Sequence, residues 1–152
     1  MKNAVLFSIK GSEEKPAAGN DKIKALARSI AAGANATPFP IGKHTFVSEK
    51  DILFIGSEVS GGGKLNRTAR RVLKELTNKE VKLVVLFTVA KSEAISALPN
   101  VKQILSSSNV PVHEEEFVCV RTSGGKKIGP PSDEDLQRAK QFATDVVKQS
   151  GI

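Results

Sequence analysis

Aromatic residues are scarce in this chain. Its 152 residues include no Trp and no Tyr, and only seven Phe. A protein that holds bases between stacked side chains has little to stack with here, and the basic residues are not interleaved with aromatic platforms. Nucleic acid is therefore disfavoured as a partner. One cysteine, Cys119, excludes an internal disulfide framework. Two histidines, His44 and His113, and that one thiol cannot assemble a zinc ligand set at any familiar spacing. No apolar run approaches the ~20 residues a membrane span needs. The amino terminus, MKNAVLFSIKGSEEK, has acidic residues and glycine where a cleavage site would need small residues, so its apolar run reads as a buried strand. The expectation is a cytoplasmic protein. Acidic residues are also in the minority: 16 Asp and Glu against 23 Lys and Arg give a net charge of +7. That balance favours anionic partners, and it equally serves solubility.

What is present is α/β periodicity in one domain's length of chain, residues 1–152. Ala4–Phe7 is a short continuous apolar run, the mark of a strand covered on both faces. A polar stretch containing Pro16 follows. Asp21 to Ala32 then carries Ile23, Leu26, Ala27 and Ile30 at helical spacing, with Gly33 and Asn35 ending it. Ala36–Ile41 has prolines around Phe39; proline cannot donate to a ladder, so this is an edge strand. Asp51–Ile55 is the next buried strand, ending at Gly56 before a glycine-rich loop, Ser57 to Lys64.

The helix after that loop turns Leu65, Ala69, Val72, Leu73 and Leu76 inward and carries Arg67, Arg70, Arg71 and Lys74 outside. Val81–Val89 is the most strand-like segment. Ile95, Leu98, Val101, Ile104 and Leu105 give another helical face, with a break expected at Pro99 and a restart at Asn100. Val110–Val120 reads as the fifth strand, with Glu114, Glu115 and Glu116 in its middle or just before a final piece, Phe117–Val120, and Arg121–Pro131 as a loop. Ser132 caps a last helix whose buried stripe is Leu136, Ala139, Ala143, Val146 and Val147. Strands alternating with helices predict an α/β fold, a three-layer, doubly wound, five-stranded parallel sheet in the order 2-1-3-4-5.

Several chemistries fail on residue type. Gly56-Ser-Glu-Val-Ser-Gly61 has the first half of a phosphate-loop spacing, but Gly62 stands where lysine must reach the phosphates. No G-x-G-x-x-G follows the first strand. A phosphate-accepting receiver needs carboxylates at the ends of strands one and three, where Phe7-Ser8-Ile9 and Ile55-Gly56-Ser57 stand. Ser57 and Ser60 lack a nucleophile elbow, and neither histidine has a placed acidic partner. His44 reads as a solvated loop residue; His113 and Cys119 read as structural.

Asp51-Ile-Leu-Phe-Ile-Gly-Ser-Glu-Val, then Ser60-Gly-Gly-Gly-Lys64 and a helix ending Val72-Leu-Lys-Glu-Leu76, resembles the third strand, ring loop and helix of the flavodoxins. Val84-Val-Leu-Phe-Thr88, Phe117-Val-Cys119 and Gly129-Pro-Pro-Ser-Asp-Glu-Asp-Leu136 extend the likeness to nearly the whole chain. The resemblance implies non-covalently held FMN, electron transfer or reduction of a small substrate, and a redox partner protein. It implies a phosphate site on Ser8, Lys10, Gly11 and Ser12. It implies a ring site on Ser57, Glu58, Val59, Ser60, Gly61 and Gly62, with Thr88, Val89 and Ala90 from the next strand. Two departures go with it. Lys10 and Glu13 stand at hydroxyl positions of the phosphate loop, and Ser60 stands where the family stacks an aromatic ring. They support an alternative, a binding or interaction module of the same fold without flavin. The stripe Arg67, Arg70, Arg71 and Lys74 offers an anionic ligand or acidic surface a contact, and equally reads as a solvated helix face.

Overall fold

The computed structural model describes residues 2–9, 21–43, 45–60, 62–90, 95–120, 122–123, 126–127 and 131–151, the two short pairs by backbone alone. The apolar runs become the strands β1 (Asn3–Phe7), β3 (Lys50–Glu58) and β4 (Val81–Ala90), flanked by β2 (Pro38–Pro40) and β5 (Phe117–Val120). All pair in parallel, in the order β2-β1-β3-β4-β5. The proline-bounded β2 lies at the edge, where a missing donor leaves no gap in the ladder.

Side chains alternate between two cores, one on each face of the sheet. Val5, Phe7, Ile52, Phe54, Val85 and Phe87 pack against α1 (Asp21–Ala34) and α4 (Asp133–Gln149). Leu6, Leu53, Ile55, Val84 and Leu86 pack against α2 (Arg67–Glu75) and α3 (Leu98–Leu105). On the first face the helices touch through Gly33: a Cβ there would lie 2.1 Å from the Lys140 carbonyl oxygen. Gly33 therefore belongs to α1 rather than ending it; the helix runs two residues beyond Ala32, and Asn35, at φ 53°, closes it. The α4 cap is as expected. Ser132 accepts from the Asp135 N–H at 3.1 Å, and the Asp135 carboxylate accepts from the Ser132 N–H at 3.2 Å, a capping box.

Three further boundaries differ from the expectations. β3 does not stop at Gly56; its ladder with β4 continues through Glu58. Gly56 is required because the Phe87 ring fills the space, 2.1 Å from where a Cβ would be. Pro99 does not break α3, because it lies in the first turn, where a missing N–H costs nothing. Leu65 precedes α2 and forms an isolated antiparallel bridge with Val59 while still filling the core.

The fifth strand takes the second of its two expected forms, its regular part being the final piece Phe117–Val120. Val112 bridges Val84, and regular pairing resumes only at Phe117 opposite Phe87. Two extra residues are thus accommodated on the edge, where Glu114 and Glu115 stay exposed. Adjacent carboxylates are kept in water because burying them unpaired is prohibitive. Within the stretch read as loop, β6 (Thr122–Ser123) and β7 (Lys126–Lys127) pair antiparallel.

Candidate functional site at the carboxyl edge

Strand order reverses between β1 and β3: β1 leads to α1 on one face of the sheet and β3 to α2 on the other, and the carboxyl edge at such a reversal is where doubly wound folds place a ligand. Residues at this edge should be polar only where a ligand or a loop meets them. Ser8, Ser57 and Thr88 are the buried polar residues among those described. They form a row: Ser57 pairs with Thr88 in register, and Ser8 follows Phe7, the partner of Gly56.

Alternation puts all three hydroxyls on the α2/α3 face, and their partners agree. Ser8 Oγ is hydrogen-bonded to Thr68 Oγ1 in the first turn of α2. Ser57 Oγ accepts from the Asn66 N–H at 2.8 Å and donates to its neighbour's carbonyl, Glu58 O, at 2.6 Å. Thr88 Oγ1 is buried with no partner among the described residues. The row thus forms the floor beneath the edge loops and anchors the start of α2. Val89 and Ala90 are equally buried, on opposite faces of β4.

Above this floor lies the glycine loop. Val59 N–H donates to Val89 O at 2.9 Å, prolonging the ladder by one rung. Ser60 N–H donates to Lys64 O at 3.0 Å and Gly63 N–H to Ser60 O at 2.9 Å, which closes a tight turn. Gly63 has φ 76°, and a Cβ on it would lie 2.7 Å from Ser96 O, so glycine is needed twice over. The Asn100 side-chain amide then donates to Gly63 O at 3.0 Å and Gly62 O at 3.3 Å. The loops after β3 and β4 are thereby tied together through α3. Gly62 lies on the outside, with open space where a side chain would be.

Of the sequence-predicted site, Ser8, Ser57, Glu58, Val59, Ser60, Gly62, Thr88, Val89 and Ala90 do gather at this edge. Only Glu58, Ser60 and Gly62 reach its surface. Lys10, Gly11, Ser12 and Gly61 lie outside the described residues. Thr68, Asn66 and Asn100 were missed: each acts through a contact between elements distant in sequence. Asn100 reads as a helix-restarting cap, and nothing in the chain near it marks Gly62 or Gly63 as its acceptor.

The basic stripe divides in two. Arg70 Nε donates to Leu65 O at 3.1 Å, and Arg71 Nη2 donates to Gly42 O at 2.7 Å, so both guanidiniums fasten backbone. Arg67 and Lys74 are exposed. Arg67 opens α2 with no acid in the first turn and no side-chain cap, so positive charge meets the positive end of the helix dipole at the crevice.

The other candidate groups are structural. Burial pushes the Cys119 thiol up from its ordinary range, and Asp135 adds to this, so the thiolate a nucleophile needs is disfavoured. His113 packs edge-on to Phe142, ring centroids 6.3 Å apart. Among the described residues no group of three or more His, Cys, Asp or Glu could hold a metal, and no helix is long and apolar enough to cross a membrane.

Solved structures define the class. The chain is similar to oxidised flavodoxin 1 from Bacillus cereus, with a TM-score of 0.67 and 18% identity, over 98% of this chain and 99% of that one. It is similar to the Fusobacterium nucleatum flavodoxin bound to flavin mononucleotide, with a TM-score of 0.60 and 13% identity, over 98% and 99%. The WrbA-like flavodoxin from Agrobacterium tumefaciens aligns with a TM-score of 0.57 and 15% identity, over 97% and 96%. No protein-family model and no curated protein matches the sequence. The chain has the flavodoxin fold, covered end to end.

Proposed function

We propose that the protein binds FMN at the crevice between the β1 and β3 loops and acts as an electron carrier to a partner protein. The observation that carries this is the three-strand platform, Ser8–Ser57–Thr88, set under a glycine loop at the point where strand order reverses. The flavodoxin-fold neighbours, one of them solved with flavin mononucleotide, support the choice of ligand.

The described residues fit an FMN held largely by main chain. Ser60, Gly62 and Glu58 would border the ring, and the hydroxyl row beneath them would keep the loop start rigid and dry. When bound, FMN supplies the electron-transfer chemistry. The residues themselves orient the ring edge and exclude water. No Trp or Tyr exists to cover a ring face. Each absent stacking contact weakens binding by about 1 kcal/mol, or about fivefold. FMN titration followed by visible absorbance and fluorescence tests the reading: saturable one-to-one binding supports it, and Ser60→Tyr tightens it by about fivefold. A colourless protein with no saturable binding overturns it.

A second reading has its own observation. Asn100 already occupies the Gly62 and Gly63 carbonyls, and the Ser57 and Thr88 hydroxyls are sealed from the surface. These features suit an interaction module that does without flavin. The same titration separates the two, since tight stoichiometric retention of FMN ends this second reading.

A further inference from the structure

The tip of the glycine loop is gripped by one side chain from a distant helix. Gly62 and Gly63 belong to a run of three glycines, the residue type with the most backbone freedom to lose on ordering. The rung from Val59 to Val89 holds the base of the loop, and two bonds within it, Ser60 N–H to Lys64 O and Gly63 N–H to Ser60 O, close its turn. None of these reaches from the tip to the rest of the molecule. The Asn100 amide does, donating to Gly63 O at 3.0 Å and to Gly62 O at 3.3 Å.

Asn100 is presented on a stiff base. It stands in the first turn of α3, beside Pro99, whose fixed φ suits a helix start. Ser96 Oγ accepts from the Leu98 N–H at 3.3 Å, and the Ala97 N–H donates to the Glu116 carboxylate at 3.3 Å. A carboxylate suits the positive end of a helix dipole, so the stretch just before β5 fastens α3 close to where Asn100 leaves it. The grip is also on the inner side of the loop. Gly63 is buried against Ser96 O, whereas Ser60 and Gly62 are exposed. The order β2-β1-β3-β4-β5 sets β5, and with it Glu116, beyond β4, on the far side of β3 from β1. Asn100 therefore leaves the β1-facing side of the loop open.

We infer, resting on the FMN reading above, that Asn100 is a positioning residue for that site: it holds the glycine loop in its binding arrangement before the ligand arrives. A loop ordered in advance spares the ligand the cost of ordering it. When the competent arrangement is only a fraction of the population, the apparent affinity falls by that fraction. If the loop orders ahead of binding, the loss falls on association and leaves dissociation alone. A side chain that touched the ligand itself would show the opposite split.

Asn100→Asp tests this, because it keeps the side chain's size, removes both donors and leaves α3 with an acid in its first turn, which the dipole favours. In the full chain without ligand, amide hydrogen exchange by NMR should show the Gly63 N–H losing protection by about tenfold, the worth of one to two neutral hydrogen bonds. The Val101 N–H, bonded to Ala97 O at 3.0 Å within α3, should keep its protection. Stopped-flow mixing with FMN should show association slowed by about tenfold and dissociation unchanged. Asn100→Ala should match it, which separates the loss of donors from repulsion between a new carboxylate and the FMN phosphate. Unchanged Gly63 protection overturns the proposal, as does normal association in Asn100→Ala. Lost Val101 protection also overturns it, since Asn100 would then be holding α3 rather than the loop. So does a loss confined to dissociation, which would put the amide on the ligand. If the unsubstituted chain takes up no FMN, the proposed function fails, and the exchange result decides by itself whether Asn100 orders the loop.

Discussion

The two faces of the sheet are built to different standards. On one, α1 and α4 are 14 and 17 residues long, close enough for Gly33 to touch the α4 backbone, and α4 begins with a complete capping box. On the other, α2 and α3 are 9 and 8 residues long, neither N-cap residue makes a side-chain cap, and the described residues of the 41–49 connection form no helix. The first face gains its stability from close packing. The second buries an apolar core as well and adds polar fastenings, with Arg70, Arg71, Asn100, Ser8 and Ser57 each tied to backbone or to a hydroxyl. Fastenings of that kind hold loops in place while leaving polar groups and open space near the surface. The difference suggests why the candidate site is found where it is.

Substitutions should separate the two faces. Gly33→Ala drives a methyl group into the Lys140 carbonyl, and the two helices must part; a loss of about 3 kcal/mol is expected in urea denaturation. A loss under half that size would show the α1–α4 contact to be more yielding than its geometry suggests. Arg71→Ala should cost less, about 1.5 kcal/mol, since the hydrogen bond to Gly42 O is charge-assisted but partly solvated. Faster hydrogen exchange confined to residues 41–49 would accompany it, and uniform exchange would mean that connection is not what Arg71 holds.

Thr88→Val runs the other way. It replaces a buried hydroxyl that has no partner among the described residues with a methyl group of similar shape, so stability should rise by about 1 kcal/mol with FMN affinity unchanged. A fall in FMN affinity would show that the hydroxyl meets the ligand after all. The smallest effect is at the sheet's amino edge. The Lys2 backbone N–H, at 2.7 Å, and Lys82, at 3.2 Å, hold the Asp51 carboxyl below its ordinary value. A carboxylate with a depressed folded-state pKa contributes stability above its unfolded value near 3.9 and loses it as pH falls through the folded value. Asp51→Asn should therefore be the less stable protein at pH 7, with the gap closing below about pH 4. An equal gap at both pH values would mean the contact acts through packing alone.

Much of the fold was legible because its signals are local. Runs such as Val81–Ala90 can be buried only as central parallel strands, prolines around Phe39 confine that segment to an edge, and Ser132 with Asp135 announces a helix start. Misplaced boundaries depended on neighbours out of sequence range. Gly33 and Gly56 read as terminators, yet each is small because another element presses on it. The candidate site was legible in the same partial way. Its described residues gather at one edge because they end the strands, but the direction in which Ser57 and Thr88 point follows from sheet register, and the grip of Asn100 on the glycine loop from helix placement.

By itself, then, the sequence determined which segments are strands and helices, the parallel three-layer plan, and the want of any aromatic ring but phenylalanine to stack on a ligand. These follow from periodicity, residue type and count. Only the tertiary structure decided that the edge hydroxyls form a sealed floor, that two of four arginines and lysines on α2 are spent on carbonyls, and that Phe39 and Phe46 lie uncovered. Each of those depends on distances between residues far apart in the chain, which no local pattern encodes.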